Sequence, residues 1–141
     1  MRAPEKPLHS DIPPKLLDVK VAFRILAWAL QWDLPASTFH VELIKNDIAA
    51  WSATSEIIAV FHANAGHVTL HDTAYNTDRK IATGNPYKNR ISDLQKRGAK
   101  IEPCGATAKG NEDLLQDIKI NTDAMARTAQ LIRQGFVKIT E

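Results

Sequence analysis

The stretch that decides the fold is EIIAVFH, from Glu56 to His62, a short and nearly continuous apolar run. Its length and its β-branched residues predict a strand that is covered on both faces, as strands of parallel sheets are. An earlier segment alternates instead, because apolar Val19, Val21, Phe23 and Ile25 are separated by residues of which most are basic. A period of two indicates a first strand from Val19 to Ile25.

Apolar residues at helical spacing predict a helix after Pro35, with Ser37 or Thr38 as its N-cap. The apolar face of this helix consists of Val41, Ile44, Ile48 and Trp51. A second helix is predicted from Asn85-Pro86 to Gly98, since proline suits a first helical turn and glycine often follows a last one.

A third helix is predicted after a cap at Thr122 or Asp123, and it ends at Gly135. The predicted apolar face of this helix consists of Met125, Thr128, Ala129 and Ile132. The remaining strand candidates are Ala99 to Cys104, Ile118 to Ile120 and Phe136 to Thr140. Strands that alternate with helices predict a three-layer α/β/α fold around a mainly parallel sheet of about five strands.

The length of 141 residues suits one domain. Residues 1–14 contain four prolines and are predicted to form an extended N-terminal arm, which leaves residues 15–141 as a single α/β domain. A net charge of +2 gives no electrostatic reason to expect nucleic acid or a membrane surface as a partner. No secretion signal is visible, so the expected location is the cytoplasm; a periplasmic protein whose signal had been removed would have the same sequence.

In open parallel sheets, ligands bind beyond the carboxyl ends of the strands. The strand that ends at Phe61 is followed by His62, Asn64 and Gly66, and the strand that ends near Pro103 is followed by Cys104. If the two strands are neighbours, an imidazole and a thiol face the same crevice.

Cys104 is the only cysteine, which excludes an internal disulfide and a thiolate-rich zinc site. The small residues after it begin with Gly105 and include Thr107, and Lys109 adds a positive charge. Backbone N–H groups and a nearby cation stabilise a thiolate, which is the nucleophilic form of cysteine. The alternative interpretation is a buried structural cysteine, a common place for this residue.

The histidines His62, His67 and His71 raise a further alternative, a zinc or copper site with Cys104 as a fourth ligand. Their spacing matches no strong metal motif, however, and loop histidines that bind solvent or neighbouring groups are the favoured interpretation. The sequence therefore predicts no metal and no cofactor.

The segment from Ile57 to Ile139 resembles the DsrE-like family of small α/β proteins that are linked to sulfur relay. The matching pieces occur in order and with matching spacing. They are FHANAG (Phe61 to Gly66), HDTAYN (His71 to Asn76), Asn85-Pro86, LQKRGAKIEPCG (Leu94 to Gly105) and DIKINTDAMARTAQLIRQGFV (Asp117 to Val137).

This resemblance implies a flavodoxin-like fold and homo-oligomers, often trimers or hexamers. It also implies that Cys104 carries sulfur as a persulfide, in the manner of a sulfurtransferase, and passes it to a partner. Gly105 and Thr107 would belong to the same loop, and His62 would face it. Because no second cysteine is present to resolve a persulfide, the sulfur donor or acceptor would be another protein or a small thiol.

Three hypotheses follow. In the first, Cys104 handles sulfane sulfur, with the loop amides and Lys109 stabilising the persulfide and His62 moving protons. In the second, the protein is a non-catalytic oligomeric binding module in which Cys104 is structural. In the third, the histidines bind a metal ion.

Overall fold

The computed structural model describes residues 9–26, 30–31, 34–105 and 110–141. The strands are β1 (Asp18–Ile25), β2 (Leu30–Gln31), β3 (Leu34–Pro35), β4 (Thr54–Phe61), β5 (Lys100–Pro103) and β6 (Val137–Thr140). The α-helices are α1 (Ala36–Trp51), α2 (Asp72–Arg79), α3 (Lys88–Lys96) and α4 (Ala124–Arg133), and Ala63–Thr69 and Asn111–Asp113 form 3-10 helices. Of the predicted N-terminal arm, residues 9–14 contain neither helix nor strand and are exposed.

The main sheet has the strand order β5-β4-β1-β6, and all its strands are parallel. β4 lies in the interior of the sheet, and its residues from Ile57 to Phe61 are buried, as the apolar run predicts. β2 and β3 form a separate antiparallel pair. The predicted α/β class with a parallel sheet is therefore confirmed.

The sheet contains four strands where about five were expected. The missing strand is Ile118 to Ile120, which the structure does not form. Asp117 has a φ of 62°, so the chain turns just before this segment and approaches β5 only at Asn121. There it makes a single parallel bridge to Cys104.

Helices cover both faces of the sheet. On one face, α1 and α3 pack on the inward side chains of β1, including Val21 and Phe23. On the other face, α4 packs on Ala22, Ile58 and Val60. Each large aliphatic or aromatic side chain that is buried in this way contributes roughly 1.5–3 kcal/mol, so both faces add to the stability of the sheet.

Asp123 is the N-cap of α4, as predicted, and its side chain accepts a hydrogen bond from the N–H of Ala126. Of the predicted apolar face, Thr128 is buried, whereas Met125, Ala129 and Ile132 are exposed. The buried residues of α4 are Ala124, Thr128 and Leu131. The sequence contains two overlapping sets of apolar residues at helical spacing. The set that is buried includes the first helical residue, which contacts the chain at the end of β5.

Two other helix starts differ from the predicted positions. α1 begins at Ala36, which places Ser37 and Thr38 inside its first turn instead of before it. α3 begins at Lys88, and Asn85 lies buried in the connection that precedes it. Thr38 and Asn85, which were expected to cap or open a helix, instead form hydrogen bonds with distant residues: Thr38 with Arg90, and Asn85 with Val68.

Candidate functional site

The carboxyl ends of β4 and β5 lie side by side. Phe61 and Pro103 are partners in the parallel register, and the N–H of Cys104 donates to the carbonyl oxygen of Phe61 at 2.8 Å. The two strands are therefore neighbours, which is the condition for a shared crevice. His62 and Cys104, the residues that follow the paired positions, both lie at this edge of the sheet.

Cys104 is buried at the N-terminus of α4. Its side chain packs in the apolar cluster beneath this helix, and only 5% of the residue is exposed. The N–H of Ala124 donates to Sγ at 3.2 Å. The N-terminus of a helix carries a positive partial charge, so this N–H is a favourable partner for negative charge on the sulfur.

Gly105 fits only because it has no side chain. A Cβ atom at this position would lie 2.4 Å from the carbonyl oxygen of Asn121 and 2.9 Å from that of Thr122. The N–H of Gly105 donates to the same Asn121 oxygen at 2.9 Å. The glycine therefore lets the chain before α4 approach the end of β5, which brings Ala124 within reach of the sulfur.

His62 continues the extended backbone of β4, with φ of −151° and ψ of 177°. Side chains alternate along a strand, so His62 lies on the face of Val60, which is the face that α4 covers. Its Nε2 is buried and has no hydrogen-bond partner among the described residues. Burial, and after it the positive charge of Arg24, lower the pKa of His62, which favours the neutral imidazole.

Arg24 is a residue of this region that the sequence analysis did not select. It lies near the carboxyl end of β1, on the same face as Ala22, and its Nη2 donates to Sδ of Met125 in α4 at 3.0 Å. Nε of Arg24 is buried without a partner in the described parts of the chain. The alternating pattern of β1 places Arg24 among the polar residues of that strand and gives no signal that it lies near His62.

Of the other predicted binding residues, the structure describes Gly66 and the backbone of Asn64. Gly66 lines a cavity of about 390 Å³ beside α2, and Cys104 is not among the lining residues. Asn64 lies in the 3-10 helix that follows β4. Thr107 and Lys109 lie outside the residues that the structure describes.

A larger cavity of about 890 Å³ runs along β5 and α4. On its wall, Arg127 makes two hydrogen bonds of 2.8 Å to the carboxylate of Glu102, which raise the pKa of Arg127. The lining also includes Thr122 and Asp123, the two residues that precede Ala124. This cavity therefore reaches the cap of the helix at which the sulfur lies, although Cys104 itself does not line it.

Two of the histidines that raised the metal hypothesis, His67 and His71, lie near one cavity but have different partners. Nδ1 of His71 accepts the N–H of Ala74 and so caps α2. The ring of His67 lies 5.7 Å from that of Tyr75, and both His67 and His71 line the cavity beside α2. Within the described ranges, no group of three or more His, Cys, Asp or Glu residues is placed to hold a metal ion.

Comparison with known proteins gives a likeness in fold. No protein-family model and no curated protein matches this chain. Among solved structures, it is similar to the protein of unknown function MTH1491 from Methanobacterium thermoautotrophicum. The TM-score is 0.66, the sequence identity is 16%, and the alignment covers 87% of this chain and 99% of the other. At this identity the likeness shows the shared fold alone.

Across the described residues, no helix has the length and apolar character needed to cross a bilayer.

At the carboxyl edge of the sheet, the structure brings together a thiol, a helix N-terminus, an imidazole and a guanidinium. In general, groups of these kinds can act as a nucleophile, a partner for its negative charge, a proton acceptor and a balancing cation.

Proposed function

We propose that this protein handles sulfane sulfur and that Cys104 carries it as a persulfide. The observation that carries the proposal is the hydrogen bond from the N–H of Ala124 to Sγ of Cys104. A donor at a helix N-terminus favours an anionic sulfur, and the thiolate is the form that attacks another sulfur atom. The resemblance of Phe61 to Gly66 and of Leu94 to Gly105 to the DsrE-like family supports the same role.

The proposed reaction is a sulfur transfer between thiols. The Cys104 thiolate attacks the terminal sulfur of a donor persulfide, R–S–SH. The S–S bond of the donor breaks, its electron pair leaves with the thiolate R–S⁻, and a new S–S bond forms on Cys104. His62 accepts the proton of the terminal S–H, and Arg24 balances the negative charge of the persulfide that remains. Transfer to an acceptor protein or a small thiol reverses these steps.

Intact-protein mass spectrometry tests this reaction directly. We expect the protein to gain the mass of sulfur atoms after incubation with inorganic polysulfide, and we expect Cys104→Ser to gain none. His62→Gln should load more slowly, because the proton acceptor is lost. His40→Gln is the matched control, since His40 pairs with Glu141 and not with the thiol. Absence of loading on the native protein would overturn the proposal.

The second candidate function is a binding module in which Cys104 only fills space. The observation that favours it is the low exposure of Cys104, 5%, inside an apolar cluster. In that case the thiol of the native protein should react with iodoacetamide only at the rate of global unfolding. A rate that exceeds the unfolding rate, measured on the same sample, would favour the sulfur-transfer role.

A homo-oligomer, as a trimer or hexamer, is part of the same proposal. β6 is an edge strand, and Val137, Ile139, Met125 and Ile132 on or beside it are exposed apolar residues. Open edges and exposed aliphatic side chains favour coverage by another chain. Light scattering coupled to gel filtration gives the number of chains, and a single chain at high concentration would contradict this assembly.

A further inference from the structure

At the N-terminus of α1 and in the neighbouring helix α3 lie two buried polar groups that no described residue satisfies. Ser37, in the first turn of this 16-residue helix, is 3% exposed, and its Oγ has no hydrogen-bond partner within the described ranges. Nη2 of Arg90, in α3, is also buried without a partner there. A buried hydroxyl or guanidinium nitrogen without a partner costs about 1–3 kcal/mol, which a bound acceptor would remove.

Arg90 is held against the first turns of α1 by its other nitrogen atoms. Nε donates to Oγ1 of Thr38 at 3.3 Å, and Nη1 pairs with the carboxylate of Glu42 at 2.6 Å. The guanidinium is thus positioned beside the residue that follows Ser37. Because Nε and Nη1 are engaged, Nη2 is the nitrogen that remains for a ligand.

The position in the fold is one where open α/β sheets bind ligands. In the strand order β5-β4-β1-β6, the chain leaves β1 toward one edge and later returns to its other side as β6. The direction of winding therefore changes between β1 and β6, and α1 is the helix that follows β1. Crevices at such switch points, and the helix N-termini beside them, take anionic groups.

We propose that the N-terminus of α1 binds a tetrahedral oxyanion, either as a free ion such as phosphate or sulfate or as the phosphate group of a larger ligand. The hydroxyl of Ser37 and Nη2 of Arg90 donate to the oxyanion, and the helix dipole favours its charge. Glu42 offsets part of the positive charge of Arg90, so we expect a dissociation constant on the order of 1 mM for inorganic phosphate. The site does not depend on Cys104 and is separate from the proposed sulfur chemistry.

Amide chemical shifts of the full-length protein, titrated with inorganic phosphate at constant ionic strength, test the site. We expect the largest changes at the amides of Ser37 and Thr38. Ser37→Ala and Arg90→Gln should each weaken binding by about tenfold or more, as expected for the loss of a hydrogen bond to a charged group. Arg97→Gln is the matched control, because Arg97 bonds to Asn46 at the other end of α1 and carries the same charge.

A second titration with phenyl phosphate distinguishes the source of the group. Binding of the monoester at the same amides supports recognition of a phosphate group on a larger ligand, and binding of the inorganic ion alone supports a free oxyanion. The proposal is overturned if chloride produces the same changes, if both variants bind as tightly as the native protein, or if the changes centre on Ala124. The Cys104→Ser variant should bind phosphate unchanged, so failure of the sulfur proposal leaves this one intact.

Discussion

At the scale of single residues, Gly105 lies where the backbone approaches another segment closely. Its φ is not in the left-handed region, so conformational freedom is not the reason for glycine here. The reason is the backbone carbonyl of Asn121, 2.4 Å from where a Cβ atom would lie. Backbone atoms cannot rotate away as a flexible side chain can, and the whole segment before α4 would have to move.

We therefore expect Gly105→Ala to destabilise the protein by about 1–3 kcal/mol, the usual cost of overpacking. Urea unfolding measures the change. Gly110→Ala is the control, because a Cβ atom at Gly110 would meet the side-chain carboxylate of Glu112, which can rotate away. Equal losses for the two variants would contradict the role of Gly105 as a close-approach position.

His62 gives a prediction for the dependence of stability on pH. Burial and Arg24 lower the pKa of His62 in the folded protein, so the unfolded chain takes up a proton at a higher pH than the folded one. The stability contributed by neutral His62 is present above the unfolded pKa, ordinarily near 6.5, and is lost as the pH falls through the folded pKa.

We expect His62→Gln to lose less stability than the native protein when the pH is lowered from 7.5 to about 5. Thermal unfolding at several pH values measures the difference. If the stability of His62→Gln changes with pH in parallel with that of the native protein, the lowered pKa of this imidazole is contradicted.

At the scale of elements, a buried asparagine joins two segments. Asn85 is 2% exposed, and its Nδ2 donates to the carbonyl oxygens of Val68 and Leu70 at 2.8 and 2.7 Å. Its Oδ1 accepts the N–H of Tyr87 at 2.8 Å, just before α3 begins. The side chain thus ties the 3-10 helix after β4 to the start of α3.

We expect Asn85→Ala to lower the free energy of unfolding by about 3 kcal/mol, since buried backbone groups lose their partners. Asn89→Ala, at an exposed position in α3, should cost much less. Chemical denaturation of both variants makes the comparison. A loss in Asn85→Ala no greater than that in Asn89→Ala would mean that water replaces the amide without cost.

At the scale of the whole molecule, the strands of the sheet differ in coverage. β4 pairs on both edges, and its last five residues are buried. β6 pairs only with β1, and all four of its residues are exposed. Because the N–H of Glu141 donates to Arg24, the alternating amides of Lys138 and Thr140 point away from the sheet.

Hydrogen exchange should follow this difference. In protein diluted until light scattering reports a single chain, we expect the amides of Ile58 and Val60 to exchange the slowest. Those of Lys138 and Thr140 should exchange the fastest within the sheet. Uniform protection across the four strands would contradict the strand order, whereas protection of Lys138 that grows with concentration would indicate coverage by another copy.

The sequence by itself determined the fold class and most of its elements. An apolar run and a capping residue are signals within one segment, so the strand from Glu56 to His62 and the cap at Thr122 or Asp123 could be predicted locally. The placement of Cys104 and His62 at one edge of the sheet required only that the two strands be neighbours. The strand predicted from Ile118 to Ile120 does not form, because β-branched residues alone do not ensure that a segment pairs with a neighbouring strand along its whole length.

Only the tertiary structure decided which distant groups meet. Ala124 donates to Cys104, and Arg24 lies near His62. Each of these contacts depends on the strand order and on how α4 is placed on the sheet. Neither contact can be predicted from a local periodic pattern, because the residues concerned come from segments far apart in the chain. Packing sets the distance between them.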